Sequence, residues 1–100
     1  MRSQLLVTMI ADIFGYSRLT DSDERTTVEK VLDYNERLIF PTIQQYIGNL
    51  VKNTGDGFLA TFPSAASAVE SGIAIQKKIH KSEEKIPDDN KILYRIGLNI

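Results

Sequence analysis

One hundred residues, 42% hydrophobic and 25% charged, supply enough apolar material for one folded domain and too little for two. Twelve basic against thirteen acidic side chains leave a formal charge of −1, which argues against a nucleic-acid-binding or basic membrane-surface domain. The absence of cysteine excludes disulfides and thiolate metal sites and gives no sign of an oxidising compartment.

The opening "MRSQLLVTMIAD" carries a charge and a short apolar run, as a signal peptide would. Thr8 interrupts that run, however, and an acid closes it without a small-residue cleavage site. Residues 4–11 are instead predicted to form a strand, with Leu5, Val7 and Met9 on one face and Leu6 and Ile10 on the other. Two apolar faces require a central place in a sheet, covered on both sides. "TDSDERTT" then predicts a helix start with Asp21 or Ser22 as N-cap. Val28, Val31, Leu32, Leu38, Ile39, Ile43 and Tyr46 carry the helical spacing to about residue 46, Pro41 is expected to kink it, and Gly48 to end it.

Two short strands follow, at about 49–53 and 57–62, with Phe58, Ala60 and Phe62 on one face of the second. Pro63-Ser64 opens another helix, with Ala65, Ala68, Val69, Gly72, Ile73 and Ile79 assigned to one stripe. "HKSEEKIPDDNK" reads as a solvated helix end and loop, with His80 as a surface cap, and "ILYRIGLNI" as a final strand. No stretch approaches the ~18 apolar residues of a membrane span, so a cytoplasmic protein, or the cytoplasmic portion of a larger one, is expected, with no membrane contact within this segment. The order βαββαβ predicts an α/β (α+β) domain of ferredoxin-like topology, with an antiparallel sheet and helices on one face. The uncovered face of the first strand then needs a partner chain or further sequence.

Within "LVKNTGDGFLATF" one acid stands between two glycines. As a plain hairpin, Gly55 and Gly57 would supply positive φ and Asp56 local hydrogen bonds. A second acid, Asp12, ends the first apolar run. In this topology the first and third strands are antiparallel neighbours, so the two carboxylates should meet. Like charges about 4 Å apart repel by roughly 4 kcal/mol at an effective dielectric near 20, which requires a shared proton or a cation. Oxygen donors suit Mg²⁺ or Mn²⁺, whose shells substrate phosphates commonly complete. Gly15, just beyond Asp12, permits a turn whose N–H groups form an anion-binding concavity. Metal carboxylates beside such a turn suggest phosphoryl or nucleotidyl chemistry. Asp12 capping its own turn is the plainer alternative. The Phe58/Phe62 face could imitate the stacking aromatics of an RNA-binding sheet, but no basic residues lie between them, and no nucleic-acid partner is expected.

"VTMIADIFGYSRLT", "LVKNTGDGFLATFPSAASAVESGIAIQKKI" and "YRIGLNI", in that order, closely resemble the catalytic domain of class III nucleotidyl cyclases of the bacterial adenylate cyclase type. The resemblance covers nearly the whole chain, residues 1–100, as the N-terminal part of that domain. It implies two Mg²⁺ or Mn²⁺ ions held by Asp12, Asp56 and the carbonyl of Ile13. It also implies a triphosphate cradled by the amides of Phe14, Gly15, Tyr16 and Ser17, of which Phe14, Tyr16 and Ser17 are mild variants of the motif. Lys52 falls on the position that reads adenine, where guanylate-specific relatives usually carry Glu. The implied reaction is conversion of ATP to cyclic AMP and pyrophosphate, in a site built between two protomers. The acid that pairs with the base-reading lysine, and the Asn and Arg that stabilise the transition state, have no counterpart within residues 1–100. The 100 residues alone are therefore expected to self-associate and to make no cyclic AMP at a useful rate. The alternative is a non-catalytic nucleotide-binding or regulatory module that keeps the cyclase fold.

Overall fold

The computed structural model describes residues 6–99. Its elements are β1 (Val7–Ile13), α1 (Tyr16–Tyr34), a π-helical stretch (Asn35–Ile39), α2 (Phe40–Gln45), β2 (Asn49–Asn53), β3 (Gly57–Phe62), α3 (Ala65–Glu83), a 3₁₀ turn (Asp88–Asn90) and β4 (Tyr94–Asn99). The strands form one sheet in the order β2-β3-β1-β4, every neighbouring pair antiparallel. This is the expected ferredoxin-like α/β arrangement, with the helices on one face.

β1 lies inside the sheet, as its apolar character requires. Val7, Met9, Ala11 and Ile13 point inward and are buried, whereas Leu6 and Ile10 point outward and stay 45% and 57% exposed. The strand extends past the predicted end at residue 11, because Asp12 and Ile13 continue the ladder with Arg95 and Tyr94 of β4. Gln4 and Leu5, the predicted start, lie outside the described residues, as does Ile100 at the predicted end of the last strand. Phe58, Ala60 and Phe62 face the helices and are almost wholly buried. Their rings are core, which removes them as a stacking platform.

The first helix departs from expectation. It begins at Tyr16, straight after Gly15 in the left-handed conformation, and not at Asp21 or Ser22. The polar stretch does break the helix, but at Asp23 (φ −157°, ψ 87°), whose carboxylate accepts from the Thr26 N–H at 3.1 Å. Asp23 is thus the N-cap of a second helical segment. Pro41 is absorbed without a break. It has no N–H for the carbonyl four residues back, and the helix widens before it, with Phe40 N–H bonding to the Asn35 carbonyl. The helix ends on Ile47, at φ 64°, and Gly48 follows with its N–H on the Ile43 carbonyl at 2.8 Å. Gly48 is needed for space, since a Cβ there would lie 2.4 Å from the Phe62 ring.

α3 starts as predicted, with the Ser64 hydroxyl oxygen capping the Ser67 N–H at 3.1 Å. Its buried row is Ala68, Ser71, Ile75, Ile79 and Glu83. Val69 and Ile73, assigned to the core stripe, are 45% and 51% exposed instead. They sit one position round the helix, beside Ile96 and Leu98 at the outer edge of β4. The "HKSEEKIPDDNK" run is also less uniform than predicted. His80 is exposed in the last helical turn, but Glu83 is buried.

Candidate active site at the end of β1

β1 delivers Asp12 at its carboxyl end, opposite Gly57 on one side and Arg95 on the other. Opposed residues of antiparallel strands share a face, so Asp12, Arg95, Ile10, Leu59 and Lys52 all lie on the sheet face away from the helices. Asp56 precedes β3 in the tight turn after β2. Its carbonyl accepts the Ile13 N–H at 2.8 Å, so Asp12–Ile13 and Asp56–Gly57 are adjacent across the ladder.

The two glycines of the turn do different work. Gly55 takes φ 88°, as a hairpin glycine should. Gly57 lacks a positive φ, and what it provides is room: a Cβ there would fall 1.9 Å from the Ala11 carbonyl oxygen. The acid is therefore held against β1 by the closest backbone approach that glycine allows. Thr54 N–H donates to the Gly57 carbonyl at 3.0 Å, and the Asn53 side chain caps the Gly55 N–H at 3.0 Å.

Asp12 has a charged partner that its sequence neighbourhood does not show. Arg95 grips Asp12 in a two-point pair, Nε to Oδ1 at 2.8 Å and Nη2 to Oδ2 at 3.1 Å. These hydrogen bonds hold the Asp12 carboxyl below the ordinary carboxylate range. The guanidinium also lies 5.6 Å from the centroid of the Phe14 ring. A signal for Arg95 was available, because in βαββαβ order the first and last strands are neighbours. Asp56 is exposed, and its one side-chain hydrogen bond among the described residues is a long contact of 3.4 Å from Thr54.

The turn after Ile13 gathers backbone N–H groups at the start of a helix. Gly15 is left-handed (φ 65°), and the helix starting at Tyr16 leaves its first N–H groups without intrahelical acceptors. The Phe14 N–H is different, since it donates to the Leu93 carbonyl at 2.8 Å. The Gly15, Tyr16 and Ser17 N–H groups have no backbone acceptor among the described residues. Arg18 lies over the turn, its guanidinium 3.3 Å from where a Gly15 Cβ would stand, and donates to the Asp89 carbonyl at 2.6 Å. Lys52 is exposed on β2, on the same open face as Asp12 but two strands away, roughly 10 Å at ordinary strand spacing.

A divalent hard cation fits the donors by type, because both acids offer exposed or half-exposed carboxylate oxygens at neighbouring positions. No group of three or more His, Cys, Asp or Glu side chains converges among the described residues. A cation at this point must share Asp12 with Arg95 or displace it.

In fold and in sequence the chain is similar to proteins named as nucleotidyl cyclases. The structure of an adenylate/guanylate cyclase/hydrolase from Silicibacter pomeroyi matches 97% of this chain with a TM-score of 0.84 and 39% identity. By sequence, the chain is 34% identical over its full 100 residues to "Putative adenylate cyclase 3" of Rhizobium meliloti. It is 25% identical over 99 residues to serine/threonine-protein kinase pkn2 of Myxococcus xanthus. No protein-family model matches the chain. The chain spans 17% and 12% of the lengths of the two curated relatives and 57% of the solved S. pomeroyi chain. The resemblance seen in the motifs is thus borne out in sequence and in fold. No helix among the described residues is long and apolar enough to cross a membrane.

Proposed function

We propose that this chain forms the metal- and triphosphate-binding part of an adenylate cyclase site, which converts ATP to cyclic AMP and pyrophosphate. The observation that carries the reading is the junction at the end of β1. There Asp12 abuts the Asp56 peptide and runs directly into a left-handed glycine and a helix N-terminus. Two acids at adjacent backbone positions, beside N–H groups without intrahelical acceptors, are the donor types that a nucleoside triphosphate carrying divalent cations takes.

In this reading Asp12, Asp56 and the Ile13 carbonyl hold two Mg²⁺ or Mn²⁺ ions. When bound, such ions lower the pKa of an attacking hydroxyl and neutralise charge on the phosphates. Gly15, Tyr16 and Ser17 receive phosphate oxygens through their N–H groups. Lys52 donates to the adenine ring nitrogen, a position at which guanine presents a donor of its own. The open face meets a second protomer, so that the site lies between the two subunits of a homodimer.

A second reading has one observation in its favour. A segment similar to nearly the whole chain occurs in a protein named for protein-kinase activity. The same fold could there serve as a regulatory nucleotide-binding module.

Cyclic AMP formation from Mn²⁺–ATP by the natural gene product separates the two. Asp12→Ala and Asp56→Ala should each lower the rate by about 10³-fold, the scale of losing a principal electrostatic contact. Lys52→Glu should erode the preference for ATP over GTP more than it erodes metal binding. Turnover indifferent to both aspartates, or no turnover at all in the natural product, favours the module.

A further inference from the structure

Among the described residues, Glu83 is the buried carboxylate, and the proposed site leaves it unused. It ends α3 at 1% exposure, far from any role in the motifs. Four donors converge on or around its carboxylate. Lys30 Nζ lies 2.8 Å from Oε1 and 2.7 Å from Oε2, Ile92 N–H donates to Oε1 at 2.7 Å, and the Tyr34 hydroxyl donates to Oε2. Ser82 Oγ stands 2.9 Å from the same hydroxyl. Tyr34 has a single proton, and the charged carboxylate is the stronger acceptor, so Ser82 donates to the tyrosine oxygen. Burial, and then the bond to Glu83, push Tyr34 up to about 12.

The Ile92 N–H links this cluster to the candidate site. Ile92 lies between the 3₁₀ turn and β4, outside the sheet ladder, and a buried N–H there needs an acceptor. The next three residues are each tied to the end of β1. The Leu93 carbonyl accepts from Phe14 N–H, Tyr94 stands opposite Ile13, and Arg95 grips Asp12. We propose that Glu83 is a positioning residue, whose buried carboxylate seats residues 92–95 and thereby fixes the Asp12–Gly15 turn. Lys30 and Tyr34 fix the carboxylate in turn, which ties α1 and α3 to the same point. That the positioned turn is catalytic rests on the cyclase reading; the mechanical tie does not.

Amide hydrogen exchange on the ¹⁵N-labelled chain tests the tie without nucleotide or activity. Glu83→Leu removes every acceptor, and Glu83→Gln leaves one oxygen for which Ile92 N–H and Tyr34 compete. Exchange at Ile92 and Phe14 should accelerate by about tenfold or more in the Leu variant and about threefold in the Gln variant, as for the loss of a buried acceptor. Leu59 and Ala60, in the β3 ladder, should change far less, and the Arg95 Nε–H resonance should move. Either variant alone decides the matter. Unchanged exchange at Phe14, or acceleration by one common factor across the whole sheet, overturns the proposal and makes Glu83 an ordinary stability residue. Mn²⁺ titration of the same samples keeps the two readings apart. A parent chain that binds no Mn²⁺ counts against the cyclase reading, while the exchange pattern still judges Glu83.

Discussion

Asp12 and Arg95 form their pair on the exposed face of the sheet, where water and salt screen most of its value to stability. Its weight is local: the guanidinium keeps the carboxylate ionised and holds it toward β4, on the side away from Asp56. Because the folded-state pKa of Asp12 is depressed, the pair's contribution is present above the unfolded value and lost as pH falls through the folded one. Arg95→Ala should therefore return the Asp12 carboxyl upward to the ordinary range. It should also flatten the dependence of stability on pH below that range. Carboxyl-carbon NMR through an acid titration reads this directly, and an unmoved Asp12 midpoint in the variant would refute the assigned cause. The acids themselves were legible in the sequence because an acid at the end of an apolar run is conspicuous. Glu83 was not, because a buried carboxylate inside "HKSEEKIPDDNK" is written like its solvated neighbours, and only the long-range contacts to Lys30, Tyr34 and Ile92 distinguish it.

At the scale of elements, the β2–β3 turn is the feature on which the site depends most. Gly57 lets β3 approach β1 closely enough for the Ile13–Asp56 bond, and the atom that a Cβ would strike is backbone, which cannot move aside. Gly57→Ala should cost about 4 kcal/mol, among the larger single-substitution effects, and lower Tm by about 20 °C or prevent folding. Gly97→Ala is the control, since nothing lies within 4 Å of a Cβ there. Equal thermal unfolding midpoints for the two variants would contradict the argument. Strand positions were readable from alternation because β1 and β3 each bury one complete face. The start of α1 was not readable, because it depends on the left-handed φ of Gly15 rather than on a side-chain cap. The stripe of α3 was misread at Val69 and Ile73 because helical spacing alone does not show which side of an apolar arc meets the sheet.

In the molecule as a whole, one sheet face carries the helices and the other is open. Leu6 and Ile10 lie on that open face beside Asp12, Arg95 and Lys52. Exposed apolar side chains next to a charged site are what a surface awaiting a second chain presents. The open face thus agrees with a site that is shared between copies. The most direct test of the central claim is an NMR titration of the ¹⁵N-labelled chain with Mn²⁺–ATP, read as paramagnetic broadening residue by residue. Gly15, Tyr16, Ser17, Asp56 and Gly57 should broaden first, and Asp12→Ala should abolish the effect. Broadening centred elsewhere, or unchanged in Asp12→Ala, would contradict that claim.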